Sequence, residues 1–376
     1  MRRPLIALLF AIAMLPQAFA QSPAEPTVPP PASSGTSKTT IDRAAADKAM
    51  TNKVMAEKAI DNTAIDNTVI DSTVVDLGTV VVTGSQPGPG LWKVMKGDHT
   101  LWILGTQSPL PKRMVWDSAN VQRVIAQSQE VLGPNGIAVK TNQGMFRTLL
   151  LVPSLLKARK NPDGKTLQEL LPPAQYARWQ ALKQRYIGRD RGIEKWRPVF
   201  AALELYNKAI ERSGMSQAGV VQPVVSAAMK QGKVKGTTTA ITVTIDNPKA
   251  AVKAFSAESL DDLDCFNRTL DRIEGDLGTM IARANAWAVG DIEALRTIPY
   301  RNQFTACSAA FAEADIARKL GYQDLDKRME RSWLAAAGAA LDKNASTFAT
   351  LPISQLLQPN ALLAQLRAKG YEIEEP

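Results

Sequence analysis

The chain has 376 residues, with 45 lysines and arginines against 36 aspartates and glutamates, a net charge of +9, one histidine and two cysteines. Two isolated cysteines and a single histidine cannot furnish a zinc tetrad, so metal ligation is a poor reading of them beside a disulfide. The composition otherwise suits a globular chain, long enough for one large domain or two fused halves.

The first twenty residues predict a cleavable export signal. Arg2 and Arg3 form a positive start, Leu5 to Leu15 an apolar run, and Ala18-Phe19-Ala20 a small-residue end, with cleavage expected before Gln21. The apolar run is shorter than a membrane span needs and Pro16 breaks it, and no later stretch is long enough to cross a bilayer. No cysteine follows the cleavage site, so a soluble exported product is expected, in the periplasm first and secreted as the alternative. Cleavage removes two arginines and leaves the chain basic. In an exported protein that excess suits anionic glycans or acidic envelope proteins as partners and removes nucleic acid.

Residues 21–88 shift to Pro, Ala, Ser, Thr, Asn and Asp and lack a sustained apolar face, so they predict a disordered linker. Pro26 to Pro31 is a proline-rich spacer. A five-residue repeat follows at Ala59 to Thr63, Ala64 to Thr68 and Val69 to Thr73, matching neither helix nor strand; it reads as linker drift or as a docking repeat. Val80 to Gly84 is strand-prone and suits an added edge strand.

From Pro89 to Pro376 a globular domain is expected. Leu91 to Met95, a turn at Lys96-Gly97-Asp98 and His99 to Leu104 read as a hairpin. Asp117 or Ser118 caps a helix with Val121, Val124, Ile125 and Ser128 on one face. Helices are expected over Gly144 to Lys157, Pro173 to Tyr186, Trp196 to Arg212 and Gln222 to Lys230, and a strand over Ile241 to Ile245. Glu258 to Val289 carries apolar residues at spacings of three and four and predicts one long amphipathic helix. Further helices fall within Asp291 to Thr297, Thr305 to Leu320, Leu325 to Asp342 and Asn360 to Lys369, with strands at Thr347 to Ile353 and Tyr371 to Ile373. The fold class is α+β, a mixed sheet with helical layers and a helix-rich second half.

Several groups carry candidate chemistry. Cys265 and Cys307 form a disulfide in an oxidising compartment, or else remain buried thiols. Arg185, Arg189, Arg191 and Arg197, with Tyr186 and Trp196, form the densest basic and aromatic stretch and suit phosphates, carboxylates or a stacked sugar. Glu258, Asp261, Asp262 and Asp264 suit a hard cation, or simply complement the start of a helix. Asp291 after Gly290 caps the following helix. His99 stands beside a turn, and Ser108 has neither a nucleophile elbow nor a base to activate it.

Leu91-Trp92-Lys93-Val94, Leu101 to Thr106 with Pro109-Leu110-Pro111, Ala286 to Asp291, Arg331-Ser332-Trp333 and Leu362 to Tyr371 together resemble the TraB/GumN family, in the same order over nearly all of Pro89 to Pro376. The resemblance implies a first strand ending in Gly-x-x-His, a second Gly-x-x-His before the last helix, and an acidic residue near Glu130 to Pro134. Relatives that include the Tiki proteases are metal-dependent peptidases using those histidines, since neutral imidazoles hold a divalent ion with open positions for a carbonyl or water. Here the first motif reads Gly105-Thr106-Gln107-Ser108 and the second Pro352-Ile353-Ser354-Gln355. A two-histidine site is therefore excluded within one chain, and no cofactor is expected. The expectation is a degenerate family member that binds through a pocket of Gly105, Thr106, Gln107, Ser108, Gln355 and Asp291. The alternative is a hydrolase with relocated chemistry on Glu258, Asp262 or Asp291.

Overall fold

The structure, a computed structural model, describes residues 84–141, 150–257, 262–300, 325–359 and 362–376. The leader, the five-residue repeat, Val80 to Thr83, the start of the expected helix from Gly144 to Leu149, Glu258 to Asp261, the helix at Thr305 to Leu320, Cys307 and Asn360 lie outside the described residues.

After the short strand β1 (Ser85–Gln86), the hairpin forms as expected from β2 (Leu91–Lys96) and β3 (His99–Thr106), in antiparallel register from Leu91 opposite Leu104 to Lys96 opposite His99. Its two-residue turn begins at Gly97 with φ +59°, a backbone position open to glycine without a Cβ clash. Two short strands, β4 (Leu110–Pro111) and β5 (Val115–Trp116), lead into helix α1 (Ala119–Gln127), which buries Val121, Val124 and Ile125. Ser118 stands at the capping position, but its Oγ accepts from Gln122 Nε2 at 2.8 Å and caps no backbone N–H, and Asp117 Oδ1 instead accepts from Ala119 N at 3.0 Å.

Strands β6 (Glu130–Leu132) and β7 (Ile137–Thr141) follow, then helices α2 (Val152–Ala158), α3 (Leu167–Leu170), α4 (Pro173–Tyr186), α5 (Pro198–Arg212) and α6 (Val221–Gly232), with β8 (Met215–Ser216) between the last two. Next come β9 (Lys235–Thr237), β10 (Ile241–Ile245) and α7 (Pro248–Ala257). The expected long helix is two helices, α8 (Leu263–Gly275) and α9 (Leu277–Val289), broken at Asp276 with φ −108° and ψ −2°. Glycine propagates a helix poorly and aspartate favours its caps, so Gly275-Asp276 ends one helix and starts the next even though the apolar spacing runs on. The chain closes with α10 (Ile292–Thr297), α11 (Leu325–Lys343), β11 (Ser346–Pro352), α12 (Ile353–Leu357), α13 (Leu362–Ala368) and β12 (Glu372–Glu374).

Six strands make one mixed sheet in the order β12-β2-β3-β11-β6-β9, antiparallel across β12, β2 and β3 and parallel from β3 onward. The α+β class with helical layers therefore stands. Central strands need apolar side chains on both faces, and Leu101, Ile103, Leu104 and Thr347 to Leu351 are all buried. One core lies around this sheet with α1, α6, α11, α12 and α13; a second is helical, built from α3, α4, α5 and α8. Helix α9 serves both, with Leu277 and Met280 in the helical core and Ala284, Trp287 and Ala288 in the sheet core.

Candidate functional site

Because β3 and β11 are parallel neighbours with Thr106 opposite Pro352, the segments Gly105-Thr106-Gln107-Ser108 and Pro352-Ile353-Ser354-Gln355 leave the sheet side by side at its C-terminal edge. Packing fixes this junction closely. A Cβ on Gly105 would lie 2.9 Å from Ile353 Cγ1 and 2.9 Å from the Trp92 ring, so only glycine lets α12 start against β3. Thr106 Oγ1 donates to the Leu351 carbonyl at 3.2 Å, and the buried Trp287 Nε1 donates to the Gly105 carbonyl at 2.8 Å. Trp287 in turn meets Trp116 edge-on at 5.7 Å between ring centroids.

Beyond that junction a pocket opens, with about 330 Å³ of empty space that includes open solvent. Gln107 and Ser108 form its wall on the sheet side; Arg272, Thr279 and Arg283 on α8 and α9, with Tyr300, face them. Gln107 is buried, and its Nε2 donates to the neighbouring Ser108 carbonyl at 3.2 Å. Ser108 is exposed, with Oγ donating to the Gln217 carbonyl at 3.3 Å. Arg283 is 3% exposed and donates from Nη1 to the carbonyls of Leu295 at 2.8 Å and Ile298 at 2.6 Å. Arg272 is 7% exposed, its guanidinium 5.9 Å from the Tyr206 ring. Burial pushes Arg283 below the ordinary arginine value, though a guanidinium stays charged at any physiological pH. Both Nε atoms are buried without a hydrogen-bond partner, and among the described residues no carboxylate pairs with either group. Asp276 also borders the pocket and is itself engaged.

The pocket thus joins Gln107 and Ser108 at the end of the first motif. Gln355 leaves the same sheet edge but is not on the pocket wall, and its Oε1 is buried without a partner. Asp291 is exposed and caps α10 by accepting from Ala294 N at 2.9 Å. Asp262 is buried, and its Oδ2 accepts from Val199 N at 2.9 Å, so it serves the start of α5. Asp264 pairs with Arg268 one turn along α8 at 2.8 Å. These three carboxylates do separate structural work. Arg185, Arg189 and Arg191 are exposed, whereas Arg197 is buried and donates to the carbonyls of Lys160 and Ser256 at 3.3 and 3.2 Å. Arg197 therefore belongs to the packing between segments, apart from the other three. Cys265 is buried on α8.

Arg272, Thr279, Arg283 and Tyr300 escaped the sequence reading. Their signal was present in part: Arg283 falls one turn from Met280 and from Trp287, so it interrupts the apolar stripe that those residues define.

The donor set at the sheet edge does not fit a divalent metal centre. The motif ends carry Ser108 and Gln355, and the end of β6 runs into Gly133-Pro134. Glu130 lies toward the opposite end of the sheet, bonded to Thr237 Oγ1 and, at 2.9 Å, to Asn344 Nδ2. His99 opens β3, with Nδ1 2.6 Å from the Leu341 carbonyl. Seven residues of strand, roughly 23 Å, separate it from Thr106. Among the described residues no group of three or more His, Cys, Asp or Glu side chains is placed to hold a metal ion, and no helix is long and apolar enough to cross a membrane.

Residues 90–375 match a family model described as the TraB/PrgY/gumN family. No curated protein and no solved structure gives a match.

Proposed function

Since the chain belongs to the TraB/PrgY/gumN family, we propose that it is an exported member that uses the pocket at the C-terminal edge of its sheet for binding in the envelope, without metallopeptidase chemistry. The observation that carries this reading is the pair of motif ends beside each other at that edge, bearing Ser108 and Gln355, with His99 at the far end of β3. Neither a hydroxyl nor an amide replaces imidazole as a neutral metal ligand and general base near neutral pH.

Export rests on the ordered signal at residues 1–20, with 21–88 as a spacer whose last residues, through β1 paired with β5, join the 89–376 domain. An oxidising compartment then favours a bridge between Cys265 and Cys307. The expected outcome is that the denatured exported protein does not react with a thiol reagent until it is reduced; immediate reaction of two thiols would remove the bridge.

The decisive assay offers the purified chain zinc, cobalt and manganese in turn and follows both bound metal and peptide cleavage. No tight one-to-one metal binding and no turnover are expected. Stoichiometric binding coupled to cleavage would overturn the reading.

A further inference from the structure

Resting on that reading of the pocket as a binding site, we infer that its ligand bears a compact oxyanion, a carboxylate or a phosphate, held between Arg272 and Arg283. Two guanidiniums more than nine-tenths buried face the same pocket, and each has an Nε without a hydrogen-bond partner. A buried charge is retained where something compensates it, and here no carboxylate among the described residues pairs with either arginine. An anion entering from solvent supplies the missing partner.

The rest of the wall agrees. Arg272 closes α8 and Arg283 lies in the second turn of α9, so the break at Gly275-Asp276 folds the two helices so that both arginines reach one space. Thr279 lies in the first turn of α9, where backbone N–H groups add partial positive charge toward the pocket. Among the described lining residues Asp276 is the one carboxylate beside the two guanidiniums, so it reduces the positive balance without cancelling it. Arg283 is held by the carbonyls of Leu295 and Ile298, which orient its planar fork before any ligand arrives. Gln107 and Ser108 provide uncharged hydrogen-bonding groups opposite the arginines, suited to hydroxyls on the body of the ligand.

The test is calorimetric titration of the purified chain with glucuronate, glucose 6-phosphate, inorganic phosphate and uncharged glucose. Glucuronate or a phosphate probe is expected to bind and glucose to bind far more weakly; the ranking of glucuronate against the phosphates separates the two anion sources. Arg272→Gln should weaken anion binding by roughly ten- to hundred-fold, the ordinary cost of losing a charge-assisted hydrogen bond. Arg283→Gln should do the same, but it also frees two carbonyls, so Arg272→Gln with an unchanged melting curve is the primary variant. Glucose binding as well as glucuronate, with neither arginine mattering, overturns the oxyanion inference and leaves a neutral binding cleft standing. Failure of every probe to bind also overturns it. Metal-dependent peptide cleavage would instead strike the underlying reading, whatever the anions do.

Discussion

The two ends of the central strands treat polar groups in opposite ways. Toward the N-terminal ends, His99 Nδ1 meets the Leu341 carbonyl, Glu130 receives Thr237 and Asn344, Asn344 also reaches Thr347 at 3.2 Å, and Gln129 Oε1 accepts from Ser346 N at 2.8 Å. At the C-terminal edge, among the described residues, Gln107 bonds its neighbour alone, exposed Ser108 makes one bond to the Gln217 carbonyl, Gln355 Oε1 has no partner, and the arginines opposite keep unpaired Nε atoms. Buried polar groups in a folded protein are nearly all satisfied, so the unpartnered atoms at this edge call for water or a ligand. The chain's one histidine stands at the satisfied end, where it helps close the sheet against α11.

The strongest way to break this contrast is to remove what supports the open edge. Trp287→Ala empties a fully buried site, removes the donor to the Gly105 carbonyl and frees the Trp116 face. It should cost about 3–5 kcal/mol in urea unfolding. A loss below about 1 kcal/mol would mean that the edge does not depend on this contact.

Glu130→Ala probes the satisfied end. It leaves Asn344 Nδ2 with Thr347 alone and Thr237 Oγ1 without its acceptor, so unfolding should be easier by about 1–3 kcal/mol while ligand binding at the other edge is unchanged. Ser108→Ala should behave in the converse manner. Its hydroxyl is exposed and makes one bond, at 3.3 Å, so stability should move by no more than about 0.5 kcal/mol. Any effect should appear in titrations of pocket ligands. If Glu130→Ala weakened ligand binding and Ser108→Ala unfolded the chain, the two ends would have been assigned the wrong way round.

Much of the fold was legible because periodicity and turn chemistry act locally. The hairpin around Gly97, the strand Ile241–Ile245 and the helix Pro173–Tyr186 all follow from residues close together in sequence. Strands β6 and β9 did not show, since three residues are too few for a pattern and their stability comes from pairing across the sheet with β11 and with each other. The register of β11 against β3 is likewise nonlocal, and it is what brings the two motif segments to one edge. Gln107 and Ser108 could be named from their motif. Arg272 and Arg283 could not, because which of a helix's arginines turn inward depends on the break at Asp276, and the amphipathic spacing runs through that break without interruption.

The smallest expected effect concerns a region remote from both ends and shows what full satisfaction looks like in titration. Helix α3 begins with a capping box in which Glu169 accepts from Thr166 N and Thr166 Oγ1, both at 2.7 Å. The bond from the Thr166 backbone, followed by that from its hydroxyl, holds the Glu169 carboxyl below its ordinary value. A depressed folded-state pKa means that the contribution is complete above the unfolded glutamate value of about 4.3 and is lost as pH falls through the lower folded value. Unfolding midpoints for the natural chain and Glu169→Gln should therefore differ slightly at neutral pH, and the difference should shrink toward zero on acidification. A difference that grew at low pH would reverse the sign of the shift. Ser108→Ala has no carboxylate to titrate, so its small stability effect should stay flat across the same range, which separates a helix cap from a pocket hydroxyl by pH alone.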